Sequence, residues 1–84
     1  MHEAAPGRPA WSRPADVAIL TFLAGHSAEY PAIVANRIGM HAPHVEARFE
    51  VLAERDLVEP VTGEVVYRIT ERGQRALDAG ALPE

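Results

Sequence analysis

Prolines and glycines divide the first part of this chain into three short helices. A proline costs a helix nothing in its first turn, where its missing N–H would have no partner, and breaks it further in. Pro14, Pro31 and Pro43 each stand at the start of a stretch with helical apolar spacing. The first, "RPADVAILTFLAGH", places Val17, Leu20 and Leu23 or Ala24 on one stripe, widened by Ile19 and Phe22, with Gly25 ending it. Asp16 in its first turn complements the helix dipole. The second, "EYPAIVANRIG", buries Ile33, Val34 and Ile38, and Gly39 supplies the left-handed residue that ends it. After a three-residue turn the third spans about Ala42 to Arg55. Its apolar face is Val45, Phe49, Leu52 and Ala53; Asp56 closes it and Leu57 returns to the core.

The period then changes. "LVEPV" and "EVVYRI" have strand composition and are separated by Thr62 and Gly63. Tyr67 and Ile69 alternate with Arg68, as in a half-buried strand, so a short hairpin is expected. Thr70 then caps a last helix, "ERGQRALDAG", held to the body by Ala76 and Leu77 and ended by Gly80. Residues 1–10, with Pro6, Gly7 and Pro9, read as a flexible leader, 11–80 as one folded domain and 81–84 as a frayed tail. Trp11 is the first large apolar group and covers a core edge.

Composition narrows the function classes. No cysteine is present among 84 residues, which removes disulfides and thiolate metal sites. No apolar run approaches a membrane span, and the N-terminus lacks the apolar core of a signal peptide, so a cytoplasmic protein is expected. His41 and His44 stand three apart, but no side chain is placed to complete a tetrahedral metal site. No nucleophilic triad or glycine-rich phosphate loop is present, and a domain this small has little room for a catalytic pocket. A non-enzymatic protein without cofactor or metal follows. All eight basic residues are arginine against twelve acidic ones, a net charge of −4. That mix fits a GC-rich genome or the acidic proteome of a halophile.

Three helices, a hairpin and a helix follow one another in the order of a winged helix-turn-helix, an α+β fold that is mostly α. "WSRPADVAIL" resembles the Trp-x-x-Pro-x-Asp-x-x-Ile-Leu opening of the haloarchaeal phage-repressor-like winged-helix family. "RIGMHAPHVEARFEVLAERDLVEP" is similar to its helix-turn-helix. "VYRITERGQRAL" resembles the strand-to-helix junction that this family shares with MarR-like regulators. The resemblance covers about residues 11–79 and implies a repressor-like regulator that binds double-stranded DNA as a dimer. The chain departs from that pattern at His41, Pro43 and Glu46, where small hydroxyl residues are common. It also has Ala47 where an arginine often precedes Arg48, and Asp56 in place of a glycine.

Under this reading the third helix enters the major groove, and His41, Pro43, His44, Ala47 and Arg48 form its reading end. Arg48 suits guanine and Ala47 a thymine methyl. Arg37 near the end of the second helix faces the DNA backbone or the helix's own dipole, and Thr62 and Arg68 of the wing face flanking phosphates or a minor groove. Glu46, Glu50 and Glu54 form a like-charged ladder on the same helix. That ladder supports the alternative, a winged helix that docks a basic protein partner. Trp11 and the last helix offer apolar contacts for a homodimer.

Overall fold

The computed structural model describes residues 10–61, 63, 65–80 and 82. Its elements run α1 (Pro14–Ala24), α2 (Pro31–Ile38), α3 (Ala42–Glu54), β1 (Val58–Pro60), β2 (Tyr67–Ile69) and α4 (Glu71–Ala79). The fold is α+β and mostly helical, with the layout of a winged helix-turn-helix. Of the leader only Ala10 lies within the described residues, and Thr62 at the hairpin tip lies outside them.

The punctuation acts where the sequence puts it. Pro14, Pro31 and Pro43 occupy the first or second positions of α1, α2 and α3. Gly39 takes φ 73° after α2, and the next amide, Met40, donates to the Ala35 carbonyl at 2.9 Å. This is the left-handed ending that frees the last carbonyls of a helix from water. The end of α3 repeats it without glycine. Asp56 has φ 62°, its N–H reaches the Ala53 carbonyl at 3.0 Å, and Leu57 N–H reaches Leu52 at 2.9 Å. Aspartate tolerates that conformation better than branched residues do.

The hairpin pairs Val58 with Ile69, Glu59 with Arg68 and Pro60 with Tyr67. It continues one step, Val61 N–H donating to the Val66 carbonyl at 2.9 Å. The opposite edge of β2 is occupied as well. Glu29 and Tyr67 exchange both backbone hydrogen bonds, at 3.0 and 2.9 Å. Glu29 and Tyr30 precede the second helix, which Pro31 opens, and Glu29 ties the α1–α2 connection to the wing. Proline at the outer strand leaves no ladder donor missing from the middle of the sheet.

Ile19, Leu20 and Leu23 of α1, Val34 and Ala35 of α2, and Val45, Phe49 and Leu52 of α3 close the core with Leu57, Val58 and Ala76. Two expectations fail here. Val17 and Ile33 are about two-fifths exposed, at 40% and 41%. The face of α1 that meets the other helices is centred on Ala15, Asp16, Ile19, Leu20 and Leu23, which turns Val17 outward; in α2 the buried pair is Val34 and Ala35. Leu82, assigned to the frayed tail, is buried in the same core.

At α4, Thr70 Oγ1 accepts from Gly73 N–H at 2.9 Å and donates to the Asp56 carbonyl at 2.7 Å. One threonine thus caps α4 and pins it to the end of α3. Gly73 is buried against the Leu57 carbonyl, where a β-carbon would overlap that oxygen and sit 2.8 Å from Ile69 Cγ1.

Candidate nucleic-acid interface

α2, the turn at Gly39 and α3 pack as a helix-turn-helix, and the core-facing residues of α3 settle which side it leaves open. With Val45, Phe49 and Leu52 buried, helical geometry puts Pro43, Ala47, Glu50 and Glu54 opposite, and all four are exposed. His41 is the residue before α3 and makes no side-chain cap. His41 and His44 are both exposed at the same end. The first turn assigned as the reading end is therefore accessible at His41, Pro43, His44 and Ala47.

Arg48 is not among them, which corrects its assignment as a guanine reader. Its Nε donates to Asp16 Oδ1 and its Nη2 to Asp16 Oδ2, both at 2.9 Å, and Nη2 also reaches the Trp11 carbonyl at 3.0 Å. The Arg48 side chain is 12% exposed and that of Asp16 is 0%. Asp16 Oδ2 further accepts the Arg13 backbone N–H at 2.9 Å, completing the start of α1. The carboxylate thus receives three hydrogen bonds and a cation, the conditions under which a buried charge is tolerated. The hydrogen bond to Asp16 raises the Arg48 pKa above the ordinary arginine value; burial opposes this, and the carboxylate's charge adds to it.

Sequence reasoning missed this pair, although a signal was present. Asp16 lies one helical turn before Ile19 and Leu20, on the stripe that faces the core. Arg48 falls between Val45 and Leu52 at core spacing. A charge on each of two apolar faces is a reason to look for a bridge between them.

Several other arginines among the described residues are also engaged. The Arg55 guanidinium lies 4.1 Å from the centre of the Trp11 ring, and that of Arg37 lies 5.7 Å from the Phe22 ring. His26 stacks on Phe22 at 3.9 Å. Arg68 Nε contacts its cross-strand neighbour Glu59 at 2.7 Å, and Arg75 pairs with Glu71 at 3.4 Å. Arg37 and Arg68 remain exposed, and exposed pairs are weak enough to exchange partners. Glu46 and Glu50 have no ion pair among the described residues. They line an open groove of about 310 Å³ with Tyr30, Pro31 and Ala32 on one side and Val65 and Tyr67 of the wing on the other.

Helix-turn-helix, hairpin wing and the third pairing at Glu29 define a small winged-helix domain whose exposed α3 face carries Glu46, Glu50 and Glu54. The chain is similar to the PhiH1 repressor-like protein from Haloarcula marismortui. That crystal structure matches with a TM-score of 0.76 at 27% sequence identity, covering 90% of this chain and 88% of that one. No family model matches the sequence, and no curated protein does.

Proposed function

We propose that this chain is a repressor-like transcription regulator that binds double-stranded DNA sequence-specifically, with α3 in the major groove and the hairpin wing on the flanking backbone. The likeness to the PhiH1 repressor-like protein over nearly the whole chain carries this reading. The open first turn of α3 supports it. His41, Pro43, His44 and Ala47 meet base edges, and Arg37, Thr62 and Arg68 meet phosphates. Arg48 acts behind the interface, fixing α3 against α1 through Asp16.

The protein works by binding rather than catalysis. Two copies read a palindromic site with half-sites about one helical turn apart. Its setting is the cytoplasm of a halophilic archaeon, supported by the all-arginine, acid-rich composition and the source of the structural relative. Selection of bound fragments from genomic DNA at molar salt tests the reading. Enrichment of a shared, two-fold-symmetric sequence is the expected result; recovery of fragments with no common sequence overturns it.

A second reading has its own observation. The groove beside Glu46 and Glu50 joins two unpaired carboxylates to the apolar surface of Val65 and Tyr67, a combination that suits a basic, apolar-flanked protein segment. Glu54 continues the acidic strip. Under this reading Glu46→Lys abolishes capture of such a partner and leaves DNA binding intact or stronger.

A further inference from the structure

We propose that Glu50 is a base-reading residue that accepts a hydrogen bond from the N4 amino group of a cytosine in the major groove. The inference rests on the DNA-binding reading above and names what the third helix selects.

Position comes first. Glu50 lies on the face of α3 opposite Val45, Phe49 and Leu52, is exposed, and has no hydrogen bond or ion pair among the described residues. The side chain best suited to guanine on this helix, Arg48, has its Nε and Nη2 committed to Asp16 and the Trp11 carbonyl. Beyond Ala47, the outward face offers Glu50 and Glu54, so its polar readers are acceptors.

The chemistry then selects the base. An ionised carboxylate accepts and cannot donate. Guanine presents N7 and O6 acceptors in the major groove, and thymine presents O4; both repel it. Adenine offers its N6 amino group beside the N7 acceptor. Cytosine presents a donor and no acceptor, so it alone satisfies the carboxylate without a penalty. Ala47, one turn earlier on the same face, is the apolar neighbour that accommodates a thymine methyl beside that cytosine.

The same charge discriminates against all other DNA. A carboxylate facing phosphates weakens binding to every sequence, and only the cognate cytosine returns the loss. Glu50 thus raises specificity by lowering non-specific affinity, which gives a carboxylate on a DNA-facing helix a use.

The test is selection from a randomised duplex pool with the full chain and with Glu50→Ala, followed by titration of the selected duplex with each base at every position. Circular dichroism melts confirm that the variant is folded, as expected for an exposed position. The parent is expected to require cytosine at one position of each half-site, discriminating roughly 5- to 150-fold against the other bases. Glu50→Ala is expected to lose that discrimination at this position alone and to bind non-cognate duplexes at least as tightly as the parent. Glu50→Gln, which both donates and accepts, is expected to accept purines there. An unchanged base preference in a folded Glu50→Ala overturns the assignment while leaving DNA binding in place. A parent that selects no duplex removes the DNA-binding reading and this inference with it.

Discussion

Arg48 on α3 grips Asp16 on α1 side-on, two nitrogens on two oxygens at 2.9 Å, across 32 residues of sequence. The pair joins the helix that would read DNA to the helix at its back. Its consequence for a variant is stability rather than recognition.

Arg48→Ala leaves a fully buried carboxylate without its cation and is expected to cost about 3–5 kcal/mol, a large part of the total for a domain of this size. Urea unfolding measures it. The arginine pKa is raised on folding, so its own titration leaves this contribution intact through neutral and mildly alkaline pH. The loss in Arg48→Ala should therefore be the same in neutral and mildly alkaline buffer. Replacing both Asp16 and Arg48 by leucine should cost less than Arg48→Ala, because no unpaired charge remains. A double variant less stable than the single one overturns the account.

Gly73→Ala is expected to lower stability by about 1–3 kcal/mol, because the new methyl group collides with the Leu57 carbonyl and Ile69. The usual gain in helix propensity from glycine to alanine, at most about 1 kcal/mol, opposes it and is outweighed. A thermal melt at or above that of the parent would show that α4 moves away freely.

Asp56→Gly should be neutral or stabilising by up to about 1 kcal/mol, since the position already has φ 62°. Asp56→Val, with its branched β-carbon, should be destabilising by more than that. Chemical denaturation of the two variants side by side checks the order.

DNA affinity should depend weakly on salt. Taking Arg37 and Arg68 as the phosphate contacts, the slope of log affinity against log salt is expected near −2 per protomer, from roughly −0.9 per neutralised phosphate. Arg68 must leave Glu59, at a cost of no more than about 1 kcal/mol for so exposed a pair. Arg68→Ala should reduce the slope by about one and weaken all sequences alike. A slope several times steeper would place further cations on the interface.

Much of the fold was legible because its signals are local. Pro14, Pro31, Pro43, Gly39, Thr70 and Gly80 act within a turn or two of themselves, and helix bounds followed from them. The outer face of α3 was legible too, since Val45, Phe49 and Leu52 fix its rotation. The reading end was legible only in part. The stripe rule says which side of a helix is apolar, but a guanidinium on its flank can reach either solvent or a neighbour.

The sequence by itself determined the order of elements, their ends and the acidic character of the third helix, because each depends on spacing along one chain. Tertiary structure decided what spacing does not encode. It turned Arg48 inward to Asp16, paired Glu29 with Tyr67 and buried Leu82. It also brought the edge of α3 at Glu46 and Glu50 up to the wing. Each of these depends on how helices cross in space.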